Sequence, residues 1–186
     1  MLNLYIIAGC NGAGKTTAAY NLLPEVFKTV EFVNGDEIAR GLSPFNIQGV
    51  AFQAGRIMLQ RMDYLIAENK NFAFETTLSG LSYLKFIREA KLKGYNITFV
   101  FVFLNSPELA KSRVALRVSK GGHHIPEDVI ERRYFKGLAN FLKYAKECDD
   151  YYIYDNSNKY LLIAKNIAGQ QEIFNFELYK KISGHD

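Results

Sequence analysis

A glycine-rich loop near the start of the sequence carries the residues with the clearest chemical potential. The stretch Gly9–Thr17, here called the phosphate loop, contains the spacing G-x-x-x-x-G-K-[ST], which ends in Lys15 and Thr16. Glycines let a backbone curl so that several N–H groups point inward at phosphate oxygens. The lysine of this pattern reaches the β- and γ-phosphates, and the hydroxyl after it holds Mg²⁺. The spacing therefore predicts a nucleotide site.

The residues around the phosphate loop supply the context that this motif needs. The apolar run Leu4–Ala8 is a predicted strand, and Thr17 to Leu23 favour a helix that is expected to stop at Pro24. We therefore expect ATP or GTP to bind here with Mg²⁺. Lys15 is also expected to be catalytic, and Thr16 is the predicted metal ligand. The predicted nucleotide-binding residues are Asn11, Gly12, Ala13, Gly14, Lys15, Thr16, Thr17 and, from a later strand end, Asn156.

Polar residues also follow three other apolar stretches that are predicted strands. They are Asn34-Gly35-Asp36, Glu75-Thr76-Thr77 and Asp155-Asn156-Ser157. Ligands of open α/β sheets bind beyond the carboxyl ends of the strands, so these groups are expected to meet at the phosphate loop. Two carboxylates, those of Asp36 and Glu75, would then face the bound nucleotide.

Phosphoryl transfer requires positioning, neutralised charge and a place for the acceptor's proton. Asp36 is the predicted general base, a role worth about 10²–10⁴ in rate; it could instead assist Mg²⁺ through water, or only form a turn or helix cap. Glu75 and Thr77 are expected to bind acceptor hydroxyls together with Asp36 and Arg56. The alternative for Glu75 and Thr77 is a cap on the next helix.

Basic residues are concentrated between Arg113 and Arg133, around a Gly-Gly pair. We predict a lid at about residues 107–133 that closes over the phosphates and excludes water. Arg113 and Arg117, four residues apart on one helix face, are its predicted catalytic residues. His123 is expected to touch phosphate or acceptor, since no further His or Cys lies at metal-ligand spacing. A solvated basic helix face is the alternative.

Composition limits the classes of protein and partner. The chain has 186 residues, 48% of them hydrophobic, and a net charge of +4. This length favours one domain, residues 1–186, and the charge suits a small anionic substrate rather than nucleic acid. The start of the chain lacks a basic signal-peptide region, and no apolar run approaches the roughly 20 residues of a membrane span. A cytoplasmic protein without membrane contact is expected.

The remaining pattern predicts strands that alternate with helices. Further strands are expected at residues 29–33, 71–74, 95–104 and 151–154, and a turn at Gly41–Pro44 precedes a long amphipathic helix. Alternation of this kind favours an α/β, three-layer P-loop fold, with a five-stranded parallel sheet and helices on both faces. Residues 160–164 and 171–174 are expected to form a hairpin at the sheet edge, and a short helix at about 176–182 closes the fold.

Taken together, these motifs resemble the zeta toxin-like branch of small-molecule P-loop kinases. The resemblance spans about Leu4 to Ser157, and its more specific stretches are Glu75-Thr76-Thr77-Leu78-Ser79-Gly80 and Gly121-Gly122-His123. It implies a kinase with an arginine lid, Asp36 as base, Glu75 at the acceptor, and a small antitoxin partner. Zeta toxins phosphorylate UDP-N-acetylglucosamine. This chain departs from the founding toxins in two ways: it has Gly-Gly-His where they carry a second lid arginine, and it lacks their C-terminal extension.

The sequence therefore predicts transfer of the γ-phosphoryl group to a hydroxyl of a small metabolite, with a UDP-N-acetylglucosamine-like sugar nucleotide as one acceptor. Two alternatives stay open. One is a nucleotide-binding ATPase or switch that acts through a protein partner. The other is a kinase of nucleic-acid ends, which the mild basic charge allows but does not favour.

Overall fold

The computed structural model, which describes residues 1–184, contains one seven-stranded sheet in the order β2-β3-β1-β4-β5-β6-β7. The strands are β1 Leu2–Ala8, β2 Phe32–Val33, β3 Phe72–Thr76, β4 Tyr95–Phe103, β5 Asp150–Asp155, β6 Leu161–Ile167 and β7 Gln170–Ile173. The helices of this part are α1 Lys15–Glu25, α2 Gly35–Leu42, α3 Ala51–Ala67, α4 Ser82–Leu92, α5 Pro107–Ser119, α6 Glu127–Ala145 and α7 Phe176–Ser183. None of these helices is long and apolar enough to cross a membrane.

The first five strands are parallel, and the last two form an antiparallel hairpin at one edge of the sheet. Each parallel pair is connected through at least one helix, as a crossover between parallel strands requires. This arrangement confirms the predicted α/β fold with five parallel strands and an edge hairpin. All five parallel strands end at the same edge, so the residues that follow them are neighbours in space.

The core is built on both faces of the central strands. Side chains of β1 alternate between the faces, with Leu4 and Ile6 on one side and Tyr5 and Ile7 on the other, and all four are buried. Helices α3, α4 and α7 cover the first face, while α1 and α5 cover the second. Helix α6 contributes to the cores of both faces, which fixes it firmly beside the strand ends.

The structure corrects two predicted boundaries near the phosphate loop. Helix α1 runs through Pro24 to Glu25. A proline in the last turn removes only one hydrogen bond, and the N–H groups of Val26 and Phe27 both donate to Leu22 O, which ends the helix one residue later. Strand β2 contains only Phe32 and Val33, because it pairs on one side with β3 over two residues at the sheet edge.

Helix α2 is absent from the sequence prediction, which placed a turn at Gly41–Pro44. Gly41 instead lies inside α2, and the helix continues to Leu42. Asn34 starts this helix by accepting hydrogen bonds from the N–H groups of Asp36 and Glu37. Asparagine is among the best N-cap residues, and acidic residues in a first turn add to the stability of a helix. The Asn-Gly-Asp stretch is therefore a helix start rather than the tail of a strand.

Candidate active site

The phosphate loop lies between the end of β1 and the start of α1, at the carboxyl edge of the sheet. Gly14 caps α1 with φ 88°. A Cβ at this position would lie 2.7 Å from Nδ2 of Asn156, so only glycine fits. Asn156 follows β5 and donates from this same nitrogen to Ala13 O at 2.9 Å. The predicted nucleotide-binding residue Asn156 thus contacts the loop itself and holds its backbone in shape.

Glu75 connects the phosphate loop to the neighbouring strand end. One of its carboxylate oxygens, Oε1, lies 3.3 Å from Lys15 Nζ; the lysine is buried and the Glu75 side chain is 10% exposed. The other oxygen, Oε2, accepts a hydrogen bond from the Thr16 hydroxyl at 2.7 Å. Lys15 Nζ also donates to Cys10 O at 3.0 Å. The lysine and hydroxyl that the motif assigns to nucleotide and metal are therefore both held by one carboxylate.

Asn34 links this group to the helix that carries Asp36. Its Nδ2 donates to Glu75 Oε2 at 2.9 Å, while its Oδ1 accepts from Asp36 N at 2.8 Å. The Asp36 side chain lies in the first turn of α2 and is 52% exposed. A half-exposed carboxylate remains accessible to an incoming hydroxyl. The geometry places Asp36 and Lys15 on the lining of one cavity of about 380 Å³.

The residues next to Thr16 fit a magnesium ion that arrives with a nucleotide. Mg²⁺ prefers oxygen ligands and is usually held through one or two carboxylates together with substrate phosphates. The Thr16 hydroxyl and the Glu75 carboxylate are two such groups in direct contact. Within residues 1–184 no cluster of three or more His, Cys, Asp or Glu side chains could hold a metal. The site thus suits an ion that depends on phosphate oxygens for its other ligands.

His123 lies on the other side of Asp36. Its Nε2 is 3.8 Å from Asp36 Oδ2, and the side chain is only 12% exposed. Burial lowers the pKa of His123, and the nearby Arg117, Arg40 and Arg133 lower it further, while Asp36 opposes them. The imidazole is therefore mainly neutral near pH 7. It can accept or donate a hydrogen bond beside Asp36.

Helix α5 carries Arg113 beside the phosphate loop and Arg117 one turn further along. Arg113 Nη2 donates to Ser157 O at 3.0 Å, and its Cβ packs beside Gly12. Arg117 Nη2 donates to His123 O at 3.2 Å, while its buried Nε has no partner in the structure. Together with Arg40, Lys120 and the glycine pair 121–122, they line a cavity of about 420 Å³. This basic cavity lies beside the phosphate loop and suits an anion.

Helix α6 supports the segment Thr77–Gly80, which follows β3 and lines the 380 Å³ cavity. Asn140 donates to Leu78 O and Tyr144 donates to Gly80 O, each at 2.8 Å. Within the segment, the hydroxyls of Thr77 and Ser79 are 3.0 Å apart. These two hydroxyls therefore form a polar pair on the lining of the cavity that also contains Lys15.

Comparison with known sequences agrees with this geometry. The sequence model described as zeta toxin matches residues 3–168. The chain belongs to the zeta toxin family. This confirms the resemblance that the sequence motifs indicated. A relative in Haemophilus influenzae, described only as an uncharacterized protein, is 32% identical over 127 residues, which are 68% of this chain and 88% of the relative.

Two solved structures share the fold of this chain. The crystal structure of AvrRxo1-ORF1:-ORF2 with ATP matches with a TM-score of 0.82 at 17% identity, over 97% of this chain and 63% of the other. The PezAT toxin–antitoxin system of Streptococcus pneumoniae matches with a TM-score of 0.69 at 16% identity, over 99% of this chain and 79% of the other. This family member therefore spans less than two thirds of the AvrRxo1-ORF1:-ORF2 chain that it matches.

Not every predicted residue of this zeta toxin family member lies at the cavity. Arg56 is exposed on α3, and the neighbouring Gly55 lines the wall in its place. Thr17 is exposed in the first turn of α1. The roles assigned to these two residues, like those of the other predicted site residues, remain predictions.

Sequence reasoning missed three residues of the site. Asn34 was assigned only to a strand end, although an asparagine followed two residues later by Asp-Glu is a recognisable helix start. Arg133 was assigned only to the lid as a group, yet its side chain lines the cavity and donates to Asn11 Oδ1 at 3.3 Å. Arg40 lies one turn after Asp36 on α2, the helix that was not predicted.

Proposed function

We propose that this chain is an ATP- or GTP-dependent phosphotransferase that moves the γ-phosphoryl group to a hydroxyl of a small molecule. One observation carries the proposal: Lys15 of the phosphate loop and the half-exposed carboxylate of Asp36 line the same cavity. The first group suits a triphosphate and the second suits a proton acceptor. Membership of the zeta toxin family supports the same reaction.

The residues divide the work as follows. Backbone N–H groups from Asn11 to Thr17 bind the phosphates, and Lys15 exchanges Cys10 O for the β- and γ-phosphate oxygens. Asp36 accepts the proton of the attacking hydroxyl. Arg113 and Arg117 supply positive charge from the proposed lid, residues 107–133, as negative charge spreads over the transferred group. Mg²⁺, held beside Thr16 and Glu75, would neutralise phosphate charge when it is bound.

ATP is the first nucleotide to test. AvrRxo1-ORF1:-ORF2, which shares the fold, has been crystallised with ATP. The loop after β5 places Asn156 against the phosphate loop. Competition between ATP and GTP for the same protein distinguishes the two directly.

The acceptor is proposed to be a polar metabolite with several hydroxyls, and a UDP-N-acetylglucosamine-like sugar nucleotide is the first candidate. The cavity wall offers the Thr77 and Ser79 hydroxyls and the Asp36 carboxylate. Such groups form hydrogen bonds with hydroxyls, whereas an apolar ligand would leave them without hydrogen-bond partners. A volume of about 380 Å³ accommodates a sugar-sized group.

An antitoxin-like protein partner is part of the proposal. The PezAT system and AvrRxo1-ORF1:-ORF2 are both two-component assemblies that include a chain of this fold. A partner that covers the cavity beside Asp36 would keep the acceptor out. The expected result is a complex in which phosphoryl transfer is lost and returns when the partner is removed.

Transfer is tested with γ-labelled ATP, Mg²⁺ and either a pool of small metabolites or UDP-N-acetylglucosamine alone. The wild-type protein should produce a labelled product other than phosphate. Asp36→Asn should abolish that product while ATP binding remains close to wild type, whereas Lys15→Ala should weaken both. Equal transfer by Asp36→Asn and wild type would eliminate the proposed base.

Slow hydrolysis of the nucleotide is the second candidate function, because Glu75 lies where a nucleotide hydrolase places the acid that positions its metal. The carboxylate ends a strand and contacts the Thr16 hydroxyl, the arrangement of a metal-positioning acid. A hydrolase releases labelled phosphate at the same rate with or without metabolites. A kinase transfers label only when an acceptor is present.

A further inference from the structure

Arg133 lines the cavity between the phosphate loop and Asp36, and the roles proposed above leave it unused. Its Nη1 donates to Asn11 Oδ1 at 3.3 Å, which joins residues far apart in the sequence. Lys15, Asp36 and Glu75 surround the same cavity. A guanidinium in this position faces both the phosphate-binding residues and the proposed base.

Arg133 lies at the end of the proposed lid, but the helix that carries it is anchored to the core and does not move with a closing segment. The adjacent residue, Tyr134, is 4% exposed and donates from its hydroxyl to Leu104 O at 2.8 Å. Ile130, one turn earlier, is 1% exposed. A buried hydrogen bond at the end of β4 and apolar packing on the preceding turn therefore set the position of Arg133 before any ligand binds. This differs from Arg117, which is held by the loop that contains His123.

The contact with Asn11 places Arg133 at the γ-phosphate end of the loop. Lys15 Nζ, the group that reaches β- and γ-phosphates, contacts the carbonyl of Cys10, the residue before Asn11. Asp36, the proposed partner of the acceptor hydroxyl, lies close enough to Arg133 to act on its charge. The guanidinium thus lies where the transferred group and the acceptor meet.

The charge of Arg133 is not matched within the described residues. No carboxylate oxygen of residues 1–184 lies within 4.0 Å of its guanidinium. Burial lowers the pKa of Arg133, and Asp36 only partly opposes that effect. A partly buried cation that lacks an ion pair is unfavourable unless an anion arrives to complete it. A phosphate group supplies that anion in the geometry that arginine binds best.

We propose that Arg133 binds the γ-phosphate of the nucleotide from this fixed helix, on the side of the acceptor. The inference rests on the proposed function, since it requires a triphosphate in the phosphate loop. A donor fixed in advance needs no reorganisation when negative charge develops, which is the condition for strong electrostatic stabilisation. Arg133 then contributes both to the choice of ATP over ADP and to the rate of transfer.

Titration calorimetry with Mg²⁺ and two probes tests this assignment. The probes are a non-hydrolysable ATP analogue, which carries the γ-phosphate, and ADP, which lacks it. Arg133→Ala should raise the Kd for the analogue about tenfold or more, the effect expected when a hydrogen bond to a charged group is lost. The Kd for ADP should change less than twofold. Arg133→Gln keeps a hydrogen-bond donor for Asn11 but removes the charge. It should therefore lose the preference for the ATP analogue over ADP, and it provides the test if Arg133→Ala folds poorly.

Arg132→Ala is the matched control, since it removes one positive charge from the exposed neighbour on the same helix. It should bind both probes as the wild type does. Equal effects of the Arg133 variants on both probes, or no effect on either, would overturn the assignment and leave Arg133 a support for Asn11. Failure of the wild-type protein to bind either probe would instead refute the proposed function.

Discussion

Asn34 Nδ2 lies 2.9 Å from Glu75 Oε2, and the same side chain caps the helix that carries Asp36. Its amide therefore joins the Glu75 carboxylate, proposed to position the metal, to the backbone of Asp36, the proposed base. Glu75 in turn holds Lys15 and Thr16. This buried asparagine therefore helps to set the distance between the phosphate loop and the proposed base, together with the pairing of β2 with β3.

The first prediction concerns this asparagine. Asn34→Ala removes an N-cap, which should lower the free energy of unfolding by about 1 kcal/mol, and it also releases α2 from Glu75. Phosphoryl transfer should fall at least tenfold, because a small misplacement of a catalytic group is enough to lose that factor. Chemical denaturation and labelled-ATP transfer measure the two effects.

The control for Asn34 is another helix cap. Asn175 caps α7 through a hydrogen bond from Leu178 N and lies away from the cavity. Asn175→Ala should cost a similar stability and leave transfer unchanged. If both variants reduce transfer alike, the loss reflects general destabilisation, and Asn34 has no special part in the site.

The second prediction separates two roles for Glu75. Glu75→Gln keeps the size of the side chain but removes the charge that faces Thr16 and Lys15. If this carboxylate positions Mg²⁺, the metal concentration needed for half-maximal transfer should rise about 10- to 100-fold. Glu31→Gln, at the exposed ion pair with Arg61, is the charge-matched control and should leave this metal concentration unchanged. An unchanged metal requirement with a raised KM for the acceptor would support the role in acceptor binding that the sequence alone suggested.

Much of this site could be predicted because its motifs are local. The phosphate loop, the acidic strand ends and the edge hairpin each depend on a short stretch of sequence and on the rule that parallel strands end at one edge. The contact between Glu75 and Thr16 is different. It joins residues 59 positions apart, and it depends on the register with which β3 pairs with β1. No local pattern specifies that register.

Helix α2 and the position of Arg133 could not be predicted from the sequence, for two different physical reasons. Asn-Gly-Asp suits a turn as well as a helix start, and here tertiary packing of α2 against α3 accompanies the helix. The contact of Arg133 with Asn11 spans 122 positions. It follows from how α6 packs at the end of β4, which is decided by buried residues such as Tyr134 rather than by the arginine itself.

The third prediction concerns the support of the cavity wall. Asn140 is buried and donates to the carbonyl of Leu78, a residue held at φ 55°. Asn140→Ala leaves this buried carbonyl without a partner, so the free energy of unfolding should fall by about 1–3 kcal/mol. The KM for the acceptor should rise more than the KM for ATP, because the segment Thr77–Gly80 lines the cavity.

Lys136→Ala on the exposed side of α6 is the control for Asn140, and it should alter stability by less than about 0.5 kcal/mol. Denaturation curves and initial rates at varied acceptor concentration provide the measurements. A stability loss for Asn140→Ala with both KM values unchanged would show that the wall does not depend on this hydrogen bond for acceptor binding.

The fourth prediction is a pH dependence that arises from His123. Its pKa in the folded protein is lowered from the ordinary value of 6.5, mainly by burial. The unfolded chain therefore binds a proton at this residue before the folded chain does, and stability should fall as the pH drops below about 6.5. His123→Gln should reduce the fall in unfolding free energy between pH 7.5 and pH 5, as measured by urea denaturation.

His124→Gln, at the exposed neighbour, should retain the wild-type slope. The wild type and His123→Gln could instead show the same dependence of unfolding free energy on pH. The imidazole would then be protonated as readily in the folded protein as in the unfolded chain, which would contradict a neutral ring beside Asp36.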